Sequence, residues 1–172
     1  MDKHTEAALR RAIGMLEAIL VRETGLHREM LAVAAEKRDG ILAGDLEKLE
    51  KAVTAERRLV AGIEDEEKKR LAVMPLLKSG LGLEAPVEKL SDIIPLFPAP
   101  EREKMRGIRD RLVAAIEEVR IRNRHNSELL KTSLAHVDSF LHAIADAVRA
   151  NANYSRGGKR SAGGPAIIDR SA

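Results

Sequence analysis

Apolar residues recur every three or four positions between Glu101 and Arg149, a stretch with no proline and one glycine. This spacing keeps apolar side chains on one side of a helix, so the pattern predicts a single, very long amphipathic helix. A helix of that length would extend roughly 70 Å, which predicts an elongated protein. The predicted seam consists of Met105, Ile108, Leu112, Ile116, Val119, Asn123, Asn126, Leu130, Ser133, Val137, Phe140, Ile144 and Ala147.

The second half of this helix carries an additional apolar row at heptad spacing. A two-helix seam needs only a narrow stripe, whereas a wide stripe must be covered by a third helix, a second copy or a partner chain. The pattern alone leaves burial within the chain and a partner groove open. Our hypothesis is a partner-binding surface made of Leu130, Leu134, Val137, Leu141, Ile144 and Val148.

Two asparagines, Asn123 and Asn126, interrupt the seam just before the wide stripe. Buried amides need hydrogen-bond partners, and a polar residue in a helical seam fixes register at some cost in stability. We therefore expect these two residues to form a structural polar layer. The alternative is that they face solvent at a stutter in the repeat.

Upstream of the long helix, the pattern predicts two further helices joined by the short turn Gly44-Asp45. So short a connection indicates an antiparallel hairpin. Thr5 is the expected N-cap of the first helix. A bend at Gly25 is left open, because Glu23 and His27 interrupt the seam around it. The seams run through Leu9, Ile13, Leu16, Leu20, Met30 and Ala34, and through Leu49, Val53, Val60, Ile63 and Leu71.

Five of the six prolines lie between Pro75 and Pro100, which predicts that the second helix ends at about Met74 and that a crossover follows. Pro86 to Ile94 is expected to form a short helix that caps the hairpin. The predicted organisation is one helical domain, 1–154, with helices at about 5–43, 46–74, 86–94 and 101–149. The Gly-, Ser- and Arg-rich residues 155–172 are expected to form a flexible, disordered tail.

Composition favours an all-α, coiled-coil-like bundle, since 33% of residues are charged, only 2% are aromatic and no run alternates like a strand. The absence of cysteine suits a reducing compartment. The N-terminus lacks an apolar leader, and no apolar run approaches the ~20 residues that cross a bilayer. We expect a cytoplasmic protein that is not inserted in a membrane.

The residues give no indication of catalysis. No two of the five histidines are four residues apart, no glutamate lies three residues before one, and no glycine-rich phosphate loop occurs. We therefore expect no enzyme, no metal and no cofactor. Nucleic acid is not the expected partner either, because the net charge is only +3 and three aromatic residues cannot form a stacking platform.

Specific residues resemble a known family. The segment Asn123 to Leu130, followed by an apolar helix and then by Asn151 to Gly158, is similar to the C-terminal half of the FlgN family of bacterial flagellar export chaperones. The charged helix at Glu36-Lys37-Arg38, the turn before Leu46-Glu47-Lys48-Leu49 and the charged second helix at Glu64 to Arg70 also resemble that family. The resemblance covers about Leu9 to Gly158.

The resemblance implies a cytoplasmic, non-catalytic chaperone that binds the hook-filament junction proteins FlgK and FlgL. Such a chaperone keeps its clients unpolymerised and brings them to the flagellar type III export gate. It also implies that Tyr154, the sole tyrosine, docks on the export gate protein FlhA. Two alternatives stay open: a coiled-coil adaptor or structural protein whose wide face is a homodimer seam, and a helical chaperone of another secretion system.

Overall fold

The computed structural model describes the backbone of residues 3–84 and 89–157, and the side chains of 4–84 and 89–149. The helices are α1 (Lys3–Ala43), α2 (Leu46–Leu81), α3 (Leu90–Ile93) and α4 (Ala99–Gly157), with a 3-10 turn at Ile94–Leu96. Strands are absent from the described ranges, so the predicted all-α fold class with a long C-terminal helix is confirmed. The chain divides into two units, Met1–Leu130 and Lys131–Ala172.

The hairpin of α1 and α2 forms where the sequence predicts it. Gly44 has a φ of 64°, a left-handed conformation that ends α1 without a steric penalty. Asp45 then caps α2, because its Oδ1 accepts a 3.0 Å hydrogen bond from the Lys48 N–H. The predicted cap at the other end is wrong: α1 already begins at Lys3, so Thr5 lies inside its first turns.

Helix α1 supplies the largest share of the core of the first unit. All six predicted seam residues of α1 are buried, and the helix continues without a break through Gly25. Leu16 and Leu20 are fully buried. Burying a side chain of this kind contributes about 1.5–3 kcal/mol. The core cluster contains Leu9, Ala12, Ile13, Leu16, Ile19, Leu20, Val73, Met74, Leu77, Ile93, Ile94, Phe97, Met105, Ile108 and Leu112.

The predicted seam of α2 is wrong at two of its five positions, whereas Leu49, Val53 and Ile63 are half-buried. Val60 is 43% exposed and Leu71 is 61% exposed. The buried positions of α2 are instead Ala52, Glu66, Val73, Met74, Leu77 and Gly80. Several of these are small or charged, because α1 and α2 approach closely: a Cβ added at Gly80 would lie 3.0 Å from the Leu9 Cβ. An apolar period cannot find a contact face that is built from such residues.

The predicted end of α2 at Met74 is also wrong, since the helix continues through Pro75 to Leu81. A proline inside a helix loses one backbone hydrogen bond and costs about 3 kcal/mol. Pro75 itself is exposed, so the unpaired carbonyl of Leu71, also an exposed residue, can bond water. Val73 and Leu77 are buried on either side of Pro75, and their packing offsets the cost. The helix ends at Gly82, whose φ is 65°.

The crossover returns the chain to the same core. Ile93, Ile94 and Phe97, from α3 and the turn after it, are at most 1% exposed and belong to the core cluster. Residues 86–88 of the predicted short helix lie outside the described residues, and the helical part begins only at Leu90. The Arg102 N–H then bonds the carbonyl of Pro98 at the start of α4.

Within the first unit, α4 runs parallel to α1. Lys104 Nζ lies 2.7 Å from Glu17 Oε1, and further along both helices the Asn126 side chain bonds the Ala34 carbonyl. The buried row of α4 is Met105, Ile108, Leu112 and Ala115. The predicted seam placed Ile116 there, but Ile116 is 42% exposed. The repeat steps by three at this position, not by four.

Helix α4 also ends later than the pattern predicts. Its backbone continues from the expected end near Arg149 to Gly157, so Tyr154 and residues 155–157 are helical. The predicted end of the helix at about residue 149 is therefore wrong. The remaining residues of the predicted tail, 158–172, lie outside the described residues. The predicted division into a domain 1–154 and a tail stays a prediction.

Candidate partner-binding face

The second unit presents an apolar face on α4. Five of the six residues predicted to bind a partner lie in this unit, and all five are between 45% and 62% exposed. Phe140, which the sequence pattern placed on the seam but not in the predicted surface, is the most exposed of the group at 66%. We call these residues the apolar face: Leu134, Val137, Phe140, Leu141, Ile144 and Val148. The sixth predicted residue, Leu130, ends the first unit and is 36% exposed.

The apolar face follows the same 3-4 period that buries side chains in the first half of α4. There Met105, Ile108 and Leu112 are at most 6% exposed. Large apolar side chains in an uninterrupted row form a contiguous exposed patch. Such a patch marks an interaction site, whereas scattered apolar side chains do not. The apolar face is therefore the strongest candidate for binding in the part of the chain that the structure describes.

Polar residues next to the apolar face are paired along the helix. Asp138 Oδ2 lies 3.8 Å from His142 Nε2, and Asp146 Oδ1 lies 3.7 Å from Arg149 Nη1. All four side chains are more than 75% exposed, so these pairs contribute little to stability. These four residues lie on the side of the helix away from the apolar face. Helix α4 is therefore amphipathic here, with one apolar side that a partner helix can cover.

The two asparagines of the predicted polar layer have different surroundings. Asn126 is 3% exposed, and its Nδ2 donates a 2.8 Å hydrogen bond to the carbonyl of Ala34. Asn123 is half-buried, and its Oδ1 is buried without a hydrogen-bond partner among the described residues. The alternative, that both face solvent, does not fit these positions. That the layer sets register stays a prediction.

A second polar group, which the sequence marked only as a weak seam, lies between α1 and α2. Glu23, Thr24 and Glu66 are all less than 9% exposed. The Thr24 hydroxyl donates to the Leu20 carbonyl at 2.7 Å. The Glu23 Oε1 is 3.9 Å from Arg70 Nε, too far for a hydrogen bond.

The carboxyl of Glu23 titrates abnormally. Burial raises the pKa of Glu23 above its ordinary value of 4.5. The nearby carboxylates of Glu67 and Glu66 add to this rise in pKa, whereas Arg70 and His27 oppose it. Because desolvation is the largest cause, Glu23 is a poorly stabilised charge within the hairpin. Its carboxyl is buried at the contact between α1 and α2, so we treat it as a structural feature of the hairpin.

The backbone of Tyr154 belongs to α4. Its side chain lies outside the described residues. Among the residues that the structure describes, no three histidines, aspartates or glutamates come together as metal ligands. Within the same ranges, no helix is long and apolar enough to span a bilayer. The candidate site that we take forward is the apolar face of α4.

Comparison with known proteins agrees with a binding function. The family model for "FlgN protein" matches residues 12–162, which is most of the chain. Searches of curated proteins and of solved structures gave no significant match. The matched residues include the hairpin, the crossover, the polar layer and the whole apolar face. The chain therefore belongs to the FlgN family of flagellar export chaperones.

Proposed function

We propose that this chaperone binds the hook-filament junction proteins FlgK and FlgL in the cytoplasm, without catalysis, and delivers them to the export gate. The observation that carries the proposal is the exposed apolar face of α4 in a member of this family. Each client would contribute an amphipathic helical segment that covers the face. Such a segment has to be kept from polymerising until export, and a chaperone surface that occupies it does so directly.

The physical basis is helix-in-groove recognition. The spacing of Leu134, Val137, Leu141, Ile144 and Val148 alternates steps of three and four, which is the pattern that a partner helix needs for knobs-into-holes packing. Covering these exposed side chains removes apolar surface from water at about 25 cal/mol per Å². A client segment that orders only on binding loses conformational entropy, so affinity stays moderate and release stays feasible.

Delivery to the gate requires a second surface. We assign it to Tyr154, which follows the apolar face on α4 and would dock on the gate protein FlhA. A tyrosine provides a large apolar ring and a polar tip, a combination that is enriched where proteins meet. Separate surfaces for client and gate would allow a loaded chaperone to be recognised without displacing its client.

The experiment is light scattering of the purified chain, alone and with a fragment of FlgK that contains its terminal helix. The free chain has a mass of 18.9 kDa. We expect the mass to increase by one fragment when the fragment is added. A particle of twice the chain mass that does not change with added fragment would contradict the proposal. That result would support the alternative, a structural homodimer closed through the apolar face.

A further inference from the structure

We propose that a segment of this chain's own C-terminal region, Pro165 to Asp169, binds the apolar face when no partner covers it. The segment contains Ile167 and Ile168, which are the only large aliphatic residues after Val148. The apolar face contacts no other part of the described second unit, and its side chains are at least 45% exposed. The same unit thus contains an uncovered apolar surface and an aliphatic pair that fits it.

The length of chain between them permits the contact. Val148 precedes Gly157 by nine helical residues and Leu141 precedes it by sixteen, which corresponds to roughly 14 Å and 24 Å along α4. Ile167 follows Gly157 by ten residues, and a chain of that length spans at most roughly 33–36 Å. A glycine- and serine-rich linker of ten residues has a root-mean-square extension of roughly 16–19 Å. The aliphatic pair therefore reaches Val148 within the root-mean-square extension of the linker, and reaches Ile144 and Leu141 within its full length.

The composition of the connection favours a return over continued helix. Gly157-Gly158 and Gly163-Gly164 bracket a short basic stretch, and Pro165 directly precedes the aliphatic part of the segment. Glycine pairs oppose helix continuation, and the residue before a proline is biased toward extended conformations. A segment of five residues covers only part of the face.

Tethering makes so short a segment effective. A short flexible linker holds its ligand at an effective concentration of about 1 mM, so a segment with an intrinsic dissociation constant of about 0.1–1 mM occupies the face in roughly half to nine-tenths of molecules. The apparent affinity of a partner falls in proportion to the free fraction, by about two- to tenfold. A longer partner helix, which covers the whole face, displaces the segment. This competition rests on the proposed client role, whereas the contact itself does not.

The contact is tested on the full chain without a client. The chain has no cysteine, so Ser171→Cys gives a single site for a nitroxide label next to the aliphatic pair. With methyl-labelled protein, we expect paramagnetic broadening of Leu141, Ile144 and Val148. The matched control carries the same label together with Ile167→Ser and Ile168→Ser, which keeps the tether length, its glycines and its charges. Broadening should fall severalfold in this control.

Equal broadening in the two proteins would overturn the proposal, because the tether alone would then account for it. A mixture of nitroxide-labelled chain and separately methyl-labelled chain tests the other occupant. Broadening that appears in this mixture would also overturn the proposal, since it would come from a second copy. A chain that shows the intramolecular contact but binds no FlgK fragment would retain this inference and contradict only the proposed function.

Discussion

The side-chain amide of Asn126 donates a 2.8 Å hydrogen bond to the backbone carbonyl of Ala34, 92 residues earlier in the chain. Because Asn126 is 3% exposed, this bond is shielded from water and joins α4 to the middle of α1. Leucines can pack in several registers along a seam, whereas this amide meets the Ala34 carbonyl in one. We therefore predict that this bond specifies how α4 is aligned on α1 within the first unit.

Replacing Asn126 with Leu tests this role. We expect the Asn126→Leu variant to show more than one oligomeric mass and to have a lower melting temperature, because the hydrogen bond to Ala34 is lost. A buried hydrogen bond contributes about 1 kcal/mol, which corresponds to roughly 2–4 °C in a chain of this size. Calorimetry and light scattering measure the two effects. Ser127→Leu, at the exposed neighbouring position, is the matched control. Unchanged mass together with an unchanged melting temperature would eliminate the register hypothesis.

The close approach of α1 and α2 makes a second prediction from a pair of glycines. A Cβ at Gly80 would lie 3.0 Å from the Leu9 Cβ and 3.3 Å from its Cα, so Gly80→Ala should destabilise the fold by about 1–3 kcal/mol. Gly14, also within a helix, has no atom within 4 Å of an added Cβ. Gly14→Ala should therefore stabilise by about 0.5–1 kcal/mol. Urea unfolding measures both. Stabilisation by Gly80→Ala as well as by Gly14→Ala would show that the helices are not in close contact at Gly80.

The buried carboxyl of Glu23 makes the stability of the hairpin depend on pH. Because the folded pKa of Glu23 is raised, the protonated form is favoured in the folded state. The contribution of this protonated carboxyl to the free energy of unfolding is fully present below the unfolded pKa, near 4.5. It is lost as pH rises through the higher folded pKa. Glu23→Gln removes this loss, so we expect the variant to be more stable than the parent at pH 7.

The difference between Glu23→Gln and the parent should shrink as pH falls below 4.5. Thermal unfolding at a series of pH values follows it. Glu29→Gln, an exposed carboxylate on the same helix, gives the baseline for losing one negative charge. A parent that is more stable than Glu23→Gln at pH 7 would mean that attraction to Arg70 outweighs desolvation.

Apolar periodicity predicted the buried residues of α1 and most of those in the first half of α4. It did not find the buried residues of α2. The contact face of α2 includes Ala52, Glu66 and Gly80, and its larger side chains at Val60 and Leu71 face solvent. A close helix pair selects small residues at the contact, which contribute little to an apolar pattern. The predicted end of α2 before Pro75 is wrong for a related reason. Packing of Val73 and Leu77 outweighs the tendency of proline to end a helix.

The candidate surface could be proposed from sequence because a second apolar row widens α4 after Leu130. What the sequence left open was whether the row is covered within the chain. The structure leaves Leu134, Leu141 and Val148 at least 57% exposed. The identity of whatever covers them depends on a second molecule, and no pattern within one chain encodes that directly. The environment of Tyr154 is equally inaccessible to a periodicity argument, since a lone tyrosine has no repeat.

Tyr154 provides a prediction that separates the two proposed activities. We expect Tyr154→Ala to leave the fold and the binding of FlgK or FlgL nearly unchanged while weakening capture by the cytoplasmic domain of FlhA. The reason is that removing the ring deletes an aromatic contact with the gate but leaves the apolar face intact. A titration of client-loaded chaperone against the FlhA domain measures it. Tyr154→Phe retains the ring and is the control. Parental affinity in the alanine variant would exclude a docking role.

Client binding by the apolar face is tested directly by one titration. The double variant Leu141→Ser, Val148→Ser removes two side chains that are 57% and 62% exposed in the second unit. The matched control is Leu71→Ser, Val113→Ser, which removes a leucine and a valine that are 61% and 57% exposed in the first unit. Circular dichroism of both variants should match the parent, because none of the four side chains is in the core.

Calorimetric titration with the FlgK fragment then compares the three proteins. A side chain that becomes fully buried on binding contributes about 1.5–3 kcal/mol, and each 1.4 kcal/mol changes the dissociation constant tenfold. We predict that the dissociation constant of Leu141→Ser, Val148→Ser rises at least tenfold while that of Leu71→Ser, Val113→Ser stays within twofold of the parent. Equal dissociation constants for the two double variants would contradict the assignment of client binding to the apolar face.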